Sequence, residues 1–129
     1  MDFLGAEDVV WEDAPGEHFT GAVRFGRLYS PRDPEDLNVL AVHFSSGART
    51  DWHSHPGGQV IYVTEGAGFV VNHDGRRALI TAGDVVHAPP GELHWHGAKP
   101  NTHMVHLSLT WRGATDWDSR SVSDEDYNG

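Results

Sequence analysis

His53 and His55 stand two apart in the run Gly47-Ala-Arg-Thr-Asp-Trp-His-Ser-His-Pro-Gly-Gly-Gln59. In extended backbone, side chains alternate between faces, so this spacing sends both imidazoles to the same side. Pro56, Gly57 and Gly58 then allow a turn, and Gln59, at the same odd parity, can bring a carboxamide oxygen back to the same point. Three neutral nitrogen and oxygen donors converge. One more imidazole, from a later strand, would complete a protein-built site for a divalent transition metal with room left for water or substrate.

Such a site needs short strands and tight turns around it, and the chain supplies both. Ala22 to Tyr29 places Val23, Phe25 and Arg27 on one side, and Leu37 to Phe44 forms an apolar row of Leu40, Val42 and Phe44 with His43 pointing outward to solvent. Val60 to Glu65, a turn at Gly66-Ala-Gly68, Phe69 to Asn72, Ala78 to Thr81 and Val85 to Ala88 follow. His73-Asp74-Gly75-Arg76 predicts a tight primed hairpin turn, because Asp-Gly tolerates the positive φ angles it demands, and His73 beside it is solvated. Thr102 to Trp111 is the last long strand. Short strands divided by Gly and Pro describe an all-β antiparallel sandwich or barrel. Residues 1–18 read as an acidic arm, 19–112 as the barrel, and 113–129 as an extension in which Ser123 can cap one helical turn. Apolar residues are wasted on a solvated arm, so Phe3, Leu4 and Trp11 are expected against the barrel or a neighbouring subunit.

The 129 residues suffice for one domain. With no cysteine, disulfides, thiolate nucleophiles and Cys-based zinc sites are excluded. A formal charge of -10 argues against nucleic acid and anionic membranes as partners. The amino terminus has neither a basic start nor an apolar run, which points to a cytoplasmic protein. Further along, His87 precedes Pro89-Pro90 and reads as structural. His103 and His106 differ in parity, so one of them faces inward. The apolar row of Val105, Leu107 and Leu109 would normally be the inner one, against His106; a barrel with a polar cavity allows the reverse.

Gly83-Asp-Val-Val-His-Ala-Pro89-Pro-Gly91-Glu-Leu-His94 has the form Gly-x5-Pro-x-Gly-x2-His, and Gly47-x5-His-x-His-x3-Gln-x6-Gly66 stands upstream of it. Together they resemble the two cupin motifs, with Gln59 where Glu is usual and Ala98 where Asn is usual. The resemblance implies a single-domain cupin jelly-roll barrel with His94 as the fourth ligand. His96 shares the parity of His94 and could line the same cavity or replace it as ligand.

Phe19-Thr-Gly-Ala-Val-Arg24, the His53 loop, Pro90 to Ala98, His103 to Leu107, Asp116-Trp117 and Asp124 to Tyr127 further resemble small bacterial cupins that include manganese-dependent hydroxynitrile lyases. That similarity implies a metal held by His53, His55, Gln59 and His94, with Mn expected and Fe, Ni, Co or Zn able to replace it. It also implies His106 in the cavity as the proton-transfer group, Thr50 beside it, and a wall formed by Leu40, Val42 and Thr110, to which Phe44 and His96 add. Leu40 would narrow the pocket. The implied reaction is cleavage or formation of cyanohydrins, a small-molecule substrate, by metal Lewis-acid chemistry and a His base with the ordinary imidazole pKa of about 6.5. The competing readings are an Fe-dependent dioxygenase and a non-catalytic metal- or small-molecule-binding cupin. Relatives of this type pair through sheet edges, so a homodimer is expected, with Trp11, Phe3 and Leu4 covering the interface.

Overall fold

The computed structural model describes residues 1–118 and 120–129. In chain order its strands are β1 (Trp11–Asp13), β2 (Phe19–Thr20), β3 (Val23–Tyr29), β4 (Asn38–Phe44), β5 (Arg49–Thr50), β6 (His53–Ser54), β7 (Gln59–Asn72), β8 (Arg77–Thr81), β9 (Val85–Ala88), β10 (His94–Ala98), β11 (Met104–Thr110) and β12 (Asp116–Trp117), followed by the helical turn α1 (Asp124–Asn128). All pairings are antiparallel. They run in the order β1-β3-β4-β11-β7-β10-β5-β2 and curl into a jelly roll. No helix among the described residues is long and apolar enough to cross a membrane.

β7 is the hinge of the architecture. Its first half pairs with β11 and β9 in one layer, and its second half pairs with β10 and β8 in the other. The turn expected at Gly66-Ala-Gly68 is therefore a bend inside a continuous strand. Gly66 sits at φ 75°, and a Cβ there would overlap the His103 carbonyl, just as one on Gly68 would overlap the Gly97 carbonyl. Glycine marks a close backbone approach here, a use that competes with turn formation. The Asp74-Gly75 hairpin forms, but with one positive φ, at Gly75 (84°). The Asn72 side chain accepts from the amides of Asp74 and Arg76 and shapes a longer loop in place of the two-residue primed turn.

The core lies between the layers. Val42 and Phe44 of β4, Ile61 and Val63 of β7, Ile80, and Met104 of β11 are all buried. On β11 the inward residues are Met104, His106, Ser108 and Thr110, while Val105, Leu107 and Leu109 are half-buried on the outer face. The rule that the apolar row faces inward fails here because the interior near the histidines is polar. His103 lies outside, bonded to Glu65 at 3.0 Å and stacked on His43 at 5.5 Å, which leaves His43 half-buried instead of fully solvated. His87 is exposed at the barrel edge, so the structural role expected for it is not met.

Neither end of the chain is a loose appendage. β1 extends the outer layer along β3, although Phe3 stands 92% exposed in the single chain. At the other end Ser123 Oγ caps α1 by accepting from the Asp126 amide. Val122 and Tyr127 pack on Trp95 as a second apolar cluster. Arg49 donates to the Val122 carbonyl at 2.8 and 3.1 Å and lies over the Tyr127 ring, whose hydroxyl donates to the Ala98 carbonyl at 2.6 Å. This tail thus braces β5 and β10 from outside, and those strands carry Thr50, His94 and His96.

Candidate metal centre

β6 and β10 pair with His53 directly opposite His94, so the two rings, 4.5 Å apart, enter the barrel side by side. His55 follows on the same face, with its ring 5.0 Å from that of His53. The Gly58 amide donates to the His55 carbonyl at 3.1 Å, closing the turn that delivers Gln59 to the start of β7. The Gly91 amide, from the second motif, donates to that same carbonyl at 3.0 Å. The two glycine-framed motifs are thereby fixed to each other through backbone.

Second-nitrogen contacts set the tautomers. His53 Nδ1-H donates to the Asp51 carbonyl at 2.9 Å, and His94 Nδ1-H to the Glu92 carbonyl at 2.9 Å. The Thr115 hydroxyl lies 3.3 Å from His55 Nδ1. Hydrogen-bonding the far nitrogen to oxygen in this way orients a ring for metal ligation. Gln59 Nε2 donates to Ser108 Oγ at 2.8 Å, which turns Oε1 toward His94 Nε2 at 2.9 Å. Because His94 carries its proton on Nδ1, its Nε2 presents a lone pair to the lone pairs of Gln59. Turning the amide over would relieve that contact but would still leave His55 Nε2 buried with no partner among the described residues. A cation between these atoms satisfies both. Neutral N and O donors on four side chains suit a divalent transition metal.

His96 approaches the same point. Ring nitrogens of His53, His94 and His96 lie within 4.8 Å of one another and could themselves hold a metal ion. His96 differs from the other three in its second contact: Nδ1 shares a hydrogen bond of 3.1 Å with His106 Nε2, an imidazole where the others have oxygen. His96 Nε2 and His106 Nδ1 are buried without partners among the described residues. Thr50 Oγ1 accepts from the His96 amide at 3.3 Å and lies 3.4 Å from His53 Nδ1.

Burial keeps this cluster neutral. It pushes the pKa of His106 down to about 4 and, with help from nearby His94, that of His55 to about 4 as well. His53 and His96 are driven well below the imidazole range by burial and by neighbouring histidines, and His94 is lowered by burial. The ordinary pKa expected for His106 is thus displaced toward acid. Because these folded-state values lie below the unfolded value of 6.5, the unfolded chain binds more protons between the two. Stability is fully present above about pH 6.5 and is lost as pH falls toward 4. At pH 5, His55 and His106 should each cost about 2 kcal/mol relative to neutral pH. Urea titrations of metal-free protein at pH 7 and pH 5 check this, with a clearly lower midpoint expected at pH 5.

A cavity of about 60 Å³ adjoins these histidines, lined by Leu40, Val42, Phe44, Thr50, His96 and His106. Thr110 is not part of its wall. It lies opposite Gln59 on β11, buried, and Ser108 occupies the lining position instead. Phe19, Phe25, Thr115 and Trp117 also line the cavity and escaped the sequence reading. β12 brings Trp117 opposite His53, where the rings lie 4.9 Å apart, and His18 stacks on Trp117 at 4.3 Å. An isolated aromatic in an acidic tail was the available signal. A larger cleft of about 500 Å³ opens between β8 and β9, but of the four proposed donors only His94 reaches its wall.

The cupin domain model matches residues 40–110. An (R)-mandelonitrile lyase of Granulicella tundricola is 45% identical over 116 residues, 88% of each chain. A cupin-like protein of Thermotoga maritima superposes with a TM-score of 0.85 at 38% identity, covering 90% of both chains. The polyketide cyclase RemF of Streptomyces resistomycificus shares the fold, with a TM-score of 0.77 at 24% identity over 99% of this chain and 91% of that one. Matched motifs, barrel topology and whole-chain similarity agree, and this protein belongs to the cupin family.

Proposed function

We propose that this cupin is a metal-dependent lyase that cleaves or forms cyanohydrins, with manganese on His53, His55, Gln59 and His94. The observation that carries the metal set is the opposition of acceptors at His94 Nε2 and Gln59 Oε1 beside the orphaned His55 Nε2. The 45% identity to an (R)-mandelonitrile lyase supports the choice of reaction. A divalent metal held by these four residues would supply Lewis acidity for negative charge developing on the substrate.

The chain's own residues handle the proton. His106 is neutral at pH 7 because burial holds its pKa near 4, so its lone pair is available as a base. His106 lines the cavity with its Nε2 hydrogen-bonded to His96, and its imidazole takes the hydroxyl proton. His96 holds the His106 ring in place. Thr50, in the cavity wall, offers a hydroxyl to the substrate's polar end. Phe19, Phe25 and Phe44 with Trp117 exclude water from the reacting bond.

Release of aldehyde and cyanide from a cyanohydrin by Mn-loaded protein tests the reading. Leu40 narrows a cavity of only about 60 Å³, so Leu40→Ala should raise the ratio of kcat/KM for aromatic over small aliphatic cyanohydrins by about tenfold or more, the scale of a pocket change of one or more methylene groups. An unchanged ratio would remove Leu40 as a determinant of substrate size.

A further inference from the structure

Three hydroxyls line the cavity beside the histidines, each on a different part of the chain: Thr50 on β5, Ser108 on β11 and Thr115 just ahead of β12. Each already accepts a hydrogen bond from a protein N–H. Thr50 Oγ1 accepts from the His96 amide at 3.3 Å and Ser108 Oγ from Gln59 Nε2 at 2.8 Å. Thr115 Oγ1, with His55 Nε2 left for the cage, accepts from His55 Nδ1-H at 3.3 Å. A hydroxyl also has one hydrogen to donate, and here that hydrogen is not used. Thr50 cannot pass it to His53 Nδ1, 3.4 Å away, because that nitrogen's own proton goes to the Asp51 carbonyl at 2.9 Å. For Ser108 and Thr115 there is no acceptor among the described residues.

The rest of the wall decides what those hydrogens can meet. It consists of Phe, Leu, Val and Trp side chains, imidazoles and Gln59, with no carboxylate, lysine or arginine among the described residues. In a chain with 19 Asp and Glu and a formal charge of -10, a cavity free of carboxylates is where a small anion meets least repulsion.

We propose that the Ser108 and Thr115 hydroxyls, with that of Thr50, form a donor set for a small anion that only accepts hydrogen bonds, or for the nitrile nitrogen that becomes part of one. The choice of ligand rests on the cyanohydrin reading above. When the carbon–carbon bond of a cyanohydrin breaks, its electron pair leaves on cyanide, the hydroxyl proton goes to His106, and the oxygen becomes a neutral carbonyl. The negative charge is then on cyanide, which accepts hydrogen bonds and donates none. Donors fixed in advance where charge develops need no reorganisation during the reaction. Ser108 and Thr115 are fixed by the same bonds that support Gln59 and His55, so each hydroxyl ties a proposed metal ligand to the anion. Strand register holds Thr115 there: Asp116 is opposite Ser54 and Trp117 opposite His53, which brings Thr115 alongside His55.

Azide, a small linear anion that takes no part in the reaction, is the probe. Its dissociation constant is measured on protein kept in excess Mn, so that every variant is compared fully loaded. Ser108→Ala and the near-isosteric Thr115→Val should each raise it about tenfold or more, the scale of losing one hydrogen bond to a charged group. Thr115→Ser, which keeps the hydroxyl, should bind azide like wild type, and circular dichroism checks that each variant retains the β fold. An unchanged constant in either Ser108→Ala or Thr115→Val overturns the proposal. So does a wild type that binds no azide at millimolar concentration, or a Thr115→Ser protein as weak as Thr115→Val. None of these readings needs turnover, so protein that binds azide as expected yet leaves cyanohydrins intact keeps the anion site and loses the lyase reading.

Discussion

His53→Ala protein is expected to lose its metal and its activity together while remaining folded. His53 is 2% exposed, lies directly opposite His94 in the strand pair, and has its Nδ1 committed to the Asp51 carbonyl. Its Nε2 makes no hydrogen bond to another side chain or backbone group among the described residues. Changes to outer hydrogen bonds of metal sites typically cost about 10- to 100-fold in affinity, so removal of a ligand should exceed ~100-fold. Elemental analysis after metal loading and gel filtration should show almost none retained. Metal-free wild type and metal-free His53→Ala should have similar melting curves, because the ring sits among other imidazoles instead of in the apolar core. Full metal retention would remove His53 from the ligand set and favour a cage that uses His96.

The second large effect belongs to His106. Its ring is fully buried, lines the cavity, and bonds to His96, not to any of the four proposed ligands. His106→Ala should therefore retain about one metal per chain while cyanohydrin turnover falls by about 10²-fold or more, the usual scale for a positioned acid or base. The pH profile separates this role from a structural one. With the pKa pushed down to about 4 by burial, His106 is already neutral at pH 5.5, and the rate should be flat from there to pH 8. The rising limb lies near pH 4. A limb centred near 6.5 would assign proton transfer to a different, solvated group, as would a His106→Ala protein as active as wild type.

Much of the site was legible because spacing in extended backbone constrains it. His53 and His55 share a face by parity and Gln59 follows from the turn, whereas His94 came from the resemblance to the second cupin motif, which the fold sets opposite His53. Strand spacing left an antiparallel sandwich or barrel open, and the resemblance to the cupin motifs selected the jelly-roll barrel. What escaped depends on contacts that alternation does not encode. Parity on β11 pointed the wrong way because its interior face is polar, with Ser108 supporting the Gln59 amide. Glycine at Gly66 and Gly68 mimicked a turn although its purpose is room for a crossing backbone. Thr115 and Trp117 lay beyond the barrel in sequence, yet β12 returns to pair with β6 and places both against the histidines. The depressed imidazole pKa values arise from burial that forms only when the barrel closes.

Anaerobic turnover of a cyanohydrin by metal-loaded and metal-stripped protein, read as aldehyde released, tests the metal-dependent lyase account most directly. Loaded protein should cleave the substrate at the same rate with or without dioxygen, stripped protein should fall to the background rate, and adding metal back should restore activity. Loaded protein no faster than buffer, or activity that appears only when dioxygen is admitted, would contradict it.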